Sequence, residues 1–330
     1  MRFIGFEEHY ATEQFLAGPG REFIGRLSQA AAKSFIRDTD RLLGQLTDVG
    51  DGRIAEMDAA GVDVAVLSLT APGVEQLAAA DAVSFARDTN DYLAEAIKRN
   101  PQRLRGFAAL PTADPSAAAG EFERTVRDHG FVGAEINGHC QGRRLDDQFF
   151  WPILECAEAL GVPIYLHPTR PPQPVIDLLY AGNYPAEVTE LLSIGAWGWH
   201  IETAIHVLRL ILSGAFDRFP KLQIMIGHMG EVLPFMLPRL DRTLPPAVTT
   251  LQRAPSEYLR HNVYYTFSGF NWLPEFLELL LHVGVDRMMF STDYPYQSMT
   301  EATAFLAGLP LAPADRERIA HGNAESTLNI

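Results

Sequence analysis

The chain has 330 residues, of which 47% are hydrophobic and 21% are charged, so it is long enough to bury a large core. Its formal net charge of −14 argues against nucleic acid or an anionic membrane as the main partner, although a local cationic site can still bind a small anionic substrate. Two cysteines without paired spacing, no signal peptide and no apolar run long enough to span a bilayer predict a cytoplasmic protein.

The first stretch, Arg2–Phe6, is short and apolar and predicts a strand that leads into Glu7, Glu8 and His9. Because successive side chains of a strand point to opposite faces, we expect Glu7 and His9 on one face and Glu8 on the other. A carboxylate beside an imidazole at the end of a buried strand indicates a metal site, although the same pattern alone is more typical of a solvated turn.

Seven further apolar runs, separated by helical patterns, follow along the chain. The predicted strands are Val62–Leu69, Leu104–Leu110, Phe131–Ile136, Val162–His167, Leu222–His228, Asn262–Ser268 and Arg287–Asp293. The predicted helices are Asp51–Ala60, Val74–Asn100, Pro115–His129, Asp146–Leu160, Ile201–Ala215, Val232–Thr243 and Pro274–Val283, with more helix at the C-terminus. Two long segments have no clear period: Tyr10–Gly50, with a helical patch at Phe23–Phe35, and the proline-rich Pro168–Leu192.

Eight strands alternating with helices predict parallel βαβ units, and at this length they predict an α/β fold of the (β/α)8 barrel type with inserted loops. Residues 1–330 show no linker-like change in composition, which predicts a single domain. A doubly wound open sheet is the alternative fold, but no G-x-G-x-x-G follows the first strand.

Five polar residues of metal-binding type stand where four of these strand ends are expected to converge. They are Glu7, His9, His167, His228 and Asp293. Since active sites of (β/α)8 barrels lie at the C-terminal ends of the strands, the set predicts a mononuclear metal site. Mixed carboxylate and imidazole ligands suit Zn²⁺, and the oxygen content also admits Mn²⁺.

His228 is followed three residues later by Glu231, which can orient its ring and raise its basicity. The alternative is a carboxylate that stabilises a helix N-terminus. Four aromatic residues near strand ends can wall a flat substrate or simply fill the core: Phe267, Trp272, Tyr294 and Tyr296. His139 and His200 are expected on loops, with contact to the site as the alternative.

Four segments carry a family resemblance: Phe6–His9, Tyr165–Pro168, Gly227–Glu231 and Phe290–Pro295. Together they resemble the amidohydrolase superfamily, and most closely its aminocarboxymuconate-semialdehyde decarboxylase branch, which includes γ-resorcylate, 2,3-dihydroxybenzoate and 5-carboxyvanillate decarboxylases. Hydrolases of the superfamily typically carry His-x-His on the first strand, whereas this chain has Glu-x-His there and offers Glu135 and Asn137 on the fourth.

The resemblance implies one divalent metal ion per subunit, bound by Glu7, His9, His167 and Asp293. It implies that His228 and Glu231 lie beside the substrate. It also implies that Asn137 and Arg239 contact the substrate, with Arg239 reaching across from a neighbouring subunit of a homodimer or homotetramer.

The resulting hypothesis is a non-oxidative, metal-dependent decarboxylase of an aromatic acid with a hydroxyl group ortho to the carboxylate. Asp293, or His228 through a shared proton, would protonate the ring carbon before CO₂ leaves. The main alternative is a metal-dependent hydrolase or hydratase of a lactone, amide or enol. A metal-stabilised binding protein without turnover is a further alternative.

Overall fold

The computed structural model describes residues 1–34, 36–328 and 330. Parallel strands form its centre: β1 (Ile4–Tyr10), β2 (Val64–Leu69), β3 (Leu104–Ala109), β4 (Gly133–Asn137), β5 (Ile164–His167), β6 (Ile224–Ile226), β7 (Val263–Thr266) and β8 (Met288–Met289). Each strand pairs with the next one along the chain.

The sheet closes on itself where the chain that follows β8 meets β1. Phe6 pairs with Ser291 in a parallel bridge, and the His9 amide donates to the Tyr294 carbonyl at 2.7 Å. The predicted (β/α)8 barrel is therefore confirmed, and the doubly wound open sheet is wrong.

Helices surround the barrel and cover its mouth. The α-helices of the described residues are Glu13–Ala17, Arg21–Ala31, Thr39–Thr47, Asp51–Ala60, Ala79–Arg99, Pro115–His129, Trp151–Leu160, Gln173–Leu179, Ala186–Ser193, Gly198–Leu212, Ala215–Arg218, Leu233–Thr243, Pro246–Thr249, Pro255–His261, Leu273–Val283, Met299–Gly308, Pro313–Glu317 and Asn323–Leu328. Short 3₁₀ turns lie at Gln148–Phe150, His228–Gly230 and Val285–Arg287, and a π turn lies at Arg318–Gly322. None of the helices in the described part of the chain has the length and hydropathy needed to cross a bilayer.

Helix ends with strong local signals match their predictions. Pro115–His129 begins after Asp114, whose carboxylate accepts from the Ser116 and Ala117 amides, and ends at Gly130 with φ of 70°. Asp51–Ala60 likewise ends at Gly61 with φ of 76°. Glycine adopts this left-handed conformation without steric cost, so the sequence alone marks both ends.

Two segments that lacked a clear period contain helices. The prediction of irregular structure in Pro168–Leu192 is wrong, whereas the helical patch predicted at Phe23–Phe35 overlaps the helix Arg21–Ala31. In Pro168–Leu192, helices begin directly after Pro172 and Pro185, whose fixed φ suits the start of a helix. In Tyr10–Gly50, three helices include Arg21–Ala31, which ends before Phe35, a residue outside the described part of the chain.

The last predicted strand, Arg287–Asp293, is much shorter in the structure. After Met289 the Phe290 amide donates to the Ile319 carbonyl instead of to the sheet, at 3.0 Å. Asp293 then adopts φ of 64°, a left-handed conformation that ends any extended run. The chain therefore leaves the sheet just before Asp293, one of the predicted metal ligands.

Two apolar cores hold the barrel together. A smaller cluster fills the inside of the barrel: Ile4, Phe6, Val64, Val66, Phe107, Val132, Tyr165, Met225 and Met289, with Ala324 and Leu328 beside it. A larger cluster packs the strands against the helices. Because apolar side chains fill the barrel towards the N-terminal ends of the strands, the polar side chains of the predicted site converge at the C-terminal mouth.

Candidate metal centre and active site

Glu7 and His9 enter the mouth of the barrel from β1, as predicted. The register of β1 on β2 shifts between Gly5 and Glu8, and Glu7 itself has φ of 57°. Both side chains approach His167, whereas Glu8 points away and accepts from the Thr292 amide and hydroxyl at 3.2 and 2.6 Å. Glu8 thereby links β1 to the segment that carries Asp293.

His167 ends β5 and is oriented from behind. Its Nδ1 lies 3.0 Å from Oδ1 of Asn137, at the end of β4, so Nδ1 donates and Nε2 is left with a free lone pair. The backbone amide of Asn137 in turn donates to Oε1 of Glu75 at 2.8 Å. Buried partners of this kind fix the tautomer of a metal-binding histidine.

Three of the four predicted ligands, Glu7, His9 and His167, offer ligand atoms that all lie within 4.8 Å of one another, and Asp293 approaches this group through His9. Glu7 Oε1 is 3.4 Å from His167 Nε2, and His9 Nε2 is 3.3 Å from Asp293 Oδ1. Ligands about 2.1 Å from a tetrahedral ion are separated by about 3.4 Å. Glu7 Oε1 and His9 Nε2 are buried without a hydrogen-bond partner among the described residues, so the donor set fits a divalent cation.

Burial sets the protonation of the cluster. It lowers the pKa of His9 to about 3 and that of His167 well below its usual value, so both rings are neutral, the form that binds metal. Burial also raises the pKa of Glu7 and Asp293, and Glu7 adds to the effect on Asp293. A cation between these carboxylates would oppose both shifts. Tyr165 and Ser268 donate to the other oxygen of Glu7 and hold its carboxylate in place.

His228 and Glu231 form the predicted pair, although the backbone around them differs from the prediction. The helix begins at Leu233, and the preceding turn places Glu231 at φ of 54°. His228 Nδ1 is 2.7 Å from Glu231 Oε1, and His228 Nε2 is 3.6 Å from Glu7 Oε1. Burial alone would lower the pKa of His228, but the charges of Glu231 and Glu7 raise it to about 10.

A cavity of about 250 Å³ opens above these groups. Its lining is mostly apolar and aromatic and includes His167, His228 and Asp293 on its floor; the other lining residues are Phe23, Leu27, Thr70, Ala71, Gly195, Trp199, His200, Ser268, Gly269, Phe270, Trp272, Tyr296 and Gln297. The cavity therefore offers a largely apolar space beside His167 and Asp293, which suits an aromatic ring.

Two of the four predicted aromatic wall residues line the cavity, and the other two lie elsewhere. Trp272 and Tyr296 line the cavity. Phe267 is buried in the core against Phe276, and Tyr294 lies under the guanidinium of Arg53 and lines a different cleft.

Two predicted substrate-binding residues lie outside the cavity lining of this chain. Asn137 is buried and bonds to His167. Arg239 is exposed on the helix Leu233–Thr243. His139 is on a loop, as expected, with Nδ1 accepting from the Gly142 amide. Substrate contact by Asn137 and Arg239 remains a prediction.

Sequence reasoning missed several cavity residues. Phe23 and Leu27 lie in the helical patch predicted at Phe23–Phe35, but their place in the cavity wall was not predicted, although their four-residue spacing puts them on one helix face. His200 is in the helix Gly198–Leu212 rather than on a loop, and its Nδ1 lies 2.6 Å from Glu231 Oε2. Trp199 stacks against Phe23 and joins the two segments.

A (β/α)8 barrel with carboxylates and histidines gathered at its C-terminal mouth defines a class of metal-dependent enzymes. A family model described as amidohydrolase matches residues 47–330, and the chain belongs to this family. It is 38% identical to the gamma-resorcylate decarboxylase of Polaromonas sp. (strain JS666 / ATCC BAA-500) over 340 residues, which cover 99% of this chain and 98% of the relative.

Solved structures agree with the sequence relatives. The 5-carboxyvanillate decarboxylase of Novosphingobium aromaticivorans, a mutant with bound manganese and 3-methoxy-4-hydroxy-5-nitrobenzoic acid, has a TM-score of 0.89 at 33% identity and covers 100% of this chain and 97% of its own. A dihydroxybenzoic acid decarboxylase of Polaromonas sp. JS666, with bound manganese and the inhibitor 2-nitroresorcinol, has a TM-score of 0.84 at 34% identity and covers 99% of this chain and 97% of its own. The decarboxylase branch predicted from the motifs is therefore confirmed.

Proposed function

We propose that residues 1–330 act as one metal-dependent barrel domain that decarboxylates hydroxylated benzoates without oxidation. The observation that carries the proposal is the close approach of Glu7, His9 and His167 to one another, with Asp293 beside His9, at the base of a cavity that His167 and Asp293 line. The relatives that cover this chain almost end to end are named as decarboxylases of such acids. The substrate is expected to be a benzoate with a hydroxyl group ortho to its carboxylate.

A divalent cation held by these four residues would supply positive charge that anchors and polarises oxygen atoms of the substrate. Manganese is bound in the two related structures, and zinc suits the same mixed donor set. We therefore propose one Mn²⁺ or Zn²⁺ per subunit, to be decided by metal analysis of the purified protein.

The chain's own groups would orient the ring and move the proton. The apolar walls at Phe270, Trp272 and Tyr296 exclude water and restrict the tilt of a flat ring. Asp293 or His228 donates a proton to the ring carbon that bears the carboxylate. The bond from that carbon to the carboxylate then breaks, CO₂ leaves, and its electron pair restores the aromatic ring. Glu231, hydrogen-bonded to His228, stabilises the imidazolium that has to be formed again in each cycle.

The test is a screen for CO₂ release over mono- and dihydroxybenzoates with Mn²⁺ or Zn²⁺ present. Asp293→Asn should reduce turnover by more than about 100-fold, since it removes both a metal ligand and a proton donor. Asp286→Asn, in an exposed ion pair with Arg318, is the matched control and should retain activity. Release of CO₂ at the wild-type rate by Asp293→Asn contradicts the mechanism, and ring opening of a lactone without CO₂ release supports the hydrolase alternative.

We also propose that the active unit is a homodimer or homotetramer in which Arg239 reaches the cavity of a second copy. Arg239 follows Phe235 by four residues, so both lie on one face of their helix, and Phe235 is 68% exposed. An exposed aromatic beside a cation is typical of a surface that another chain covers.

A cytoplasmic location remains a prediction.

Complementation tests this arrangement. Arg239→Ala and Asp293→Asn, each inactive alone, should regain about a quarter of the wild-type sites when refolded together in equal amounts, because each mixed dimer of an isologous interface contains one intact site. The absence of any recovery in mixed dimers verified by native mass spectrometry would exclude a role across subunits.

A further inference from the structure

His200 shares the carboxylate of Glu231 with His228. It lies in the first turn of the helix Gly198–Leu212 and is buried. Its Nδ1 is 2.6 Å from Glu231 Oε2, and its Nε2 is 3.1 Å from the carbonyl oxygen of Gly195. His228 Nδ1 lies 2.7 Å from the other oxygen, Glu231 Oε1. One buried carboxylate therefore bridges two imidazoles.

Each of these three contacts requires one hydrogen, and the acceptors determine where it sits. The Gly195 carbonyl can only accept, so His200 Nε2 carries a hydrogen. Burial alone would raise the pKa of Glu231, but His228 and His200 lower it to about 2, so Glu231 accepts on both oxygens. Both histidines then donate from Nδ1. His228 is left to exchange a proton with the cavity through Nε2 alone.

The turn that carries Glu231 depends on side-chain contacts for its geometry. His228, Met229 and Glu231 have φ of 50°, 55° and 54°, in the left-handed region that non-glycine residues rarely adopt. Such a backbone persists only where its surroundings hold it. The bond from the Glu231 amide to the His228 carbonyl is long, at 3.3 Å. The hydrogen bonds to the Glu231 carboxylate are therefore what fix its orientation.

Phe270 packs against both imidazoles. Its ring centroid lies 5.0 Å from that of His200 and 5.4 Å from that of His228. The two imidazoles are 4.8 Å apart. This close packing restricts rotation of both imidazole rings. The ring nitrogen of His228 that contacts Glu231 therefore depends on where the Glu231 carboxylate is held.

We propose that His200 is a positioning residue of the decarboxylation reaction: its Nδ1–H holds the second oxygen of Glu231, so that the first oxygen keeps Nδ1 of His228 turned towards it and leaves Nε2 of His228 facing the substrate. This inference rests on the proposed function, because it assigns His228 a part in the proton transfer. A purely structural role is the alternative, in which His200 only ties Gly195 to the cavity wall.

Two conservative substitutions separate these roles. In His200→Asn the side-chain amide nitrogen replaces Nδ1, so donation to Glu231 is kept and the bond to Gly195 is lost. In His200→Gln the amide nitrogen replaces Nε2, so the bond to Gly195 is kept and donation to Glu231 is lost. The holoenzyme of each variant is assayed for kcat and KM on the best hydroxybenzoate, with metal content and circular dichroism as checks on folding.

We expect His200→Asn to keep kcat near the wild-type value, and His200→Gln to lose about 10–100-fold in kcat with KM little changed. The reverse order of the two variants, or equal activity in both, overturns the proposal. A second readout needs no substrate: ¹⁵N-edited NMR should show a strongly hydrogen-bonded, downfield Nδ1–H of His228 in the wild type and in His200→Asn, and a weaker hydrogen bond, shifted upfield, in His200→Gln. The same Nδ1–H shift in all three overturns the proposal. If the wild type releases no CO₂, the proposed function fails, while the NMR result still decides whether His200 positions Glu231 against His228.

Discussion

Replacing Asn137 by leucine tests which of two roles this residue has. The resemblance predicts contact with substrate, whereas the structure shows Oδ1 of Asn137 3.0 Å from Nδ1 of His167. Leucine has a similar size but no acceptor. Nδ1–H of a buried imidazole then loses its partner, and the ring is free to present the wrong nitrogen to the metal.

The size of the effect follows from the depth of the contact. Asn137 is 2% exposed and His167 is 4% exposed, so water cannot replace the lost bond. Removal of such a partner behind a metal-binding histidine weakens metal affinity by about 10–100-fold, which corresponds to about 1.4–2.7 kcal/mol. KM for the substrate should change little once the metal site is saturated.

Metal affinity is measured by competition of bound Mn²⁺ with a chelator of known strength, and KM is measured at saturating Mn²⁺. Gln76→Leu is the control, because it removes an amide contact with His139, an imidazole outside the metal cluster, and should leave metal affinity unchanged. An unchanged affinity for Mn²⁺ together with a raised KM in Asn137→Leu would refute the reasoning and favour substrate contact.

Two further predictions concern pH and metal removal. Burial lowers the pKa of His206 to about 3, and its Nε2 accepts from the Leu145 amide at 2.9 Å. Only the unfolded chain takes up this proton as pH falls below the ordinary histidine pKa, so stability is lost in that range, by about 2 kcal/mol between pH 7 and pH 5. His206→Gln keeps an acceptor for the Leu145 amide but cannot take up a proton. In urea titrations at pH 7 and pH 5, the variant should therefore lose less unfolding free energy than the wild type, by about this amount. An equal loss in both proteins contradicts the prediction. Chelation of the metal should abolish CO₂ release and lower the melting temperature, because the Glu7 and Asp293 carboxylates then lie near each other without a cation. Added Mn²⁺ or Zn²⁺ should reverse both effects. Full activity after verified removal of metal would exclude a metal-dependent reaction.

The fold, and the strand ends where the proposed metal ligands lie, were predictable because their signals are local. Apolar runs give the strands, and Glu7, His9, His167 and Asp293 each stand within three residues of the end of one, at the end where barrel sites lie. The bounds of Pro115–His129 follow from a cap and a glycine that the sequence shows. The length of β8 could not be predicted, since the apolar residue Phe290 bonds to Ile319 rather than to the sheet.

The outer parts of the site depend on packing between distant segments, which no period records. His200 meets Glu231 only because a helix and a left-handed turn from separate parts of the barrel face each other. Asn137 could be assigned to β4 from the pattern, but its contact with His167 depends on the register of two strands. Arg239 has no signal of its own beyond an exposed helix face, since its proposed partner is a second chain.

The bridge between Phe6 and Ser291 has a consequence for the order in which the proposed metal cluster can form. Glu7 belongs to β1 and Asp293 follows β8, and Glu8 and Thr292 join only when both segments are in place. The complete cluster therefore cannot assemble before the segment after β8 has been made and the barrel has closed. Truncated chains that stop before residue 293 are expected to be recognisable by their failure to retain a divalent cation.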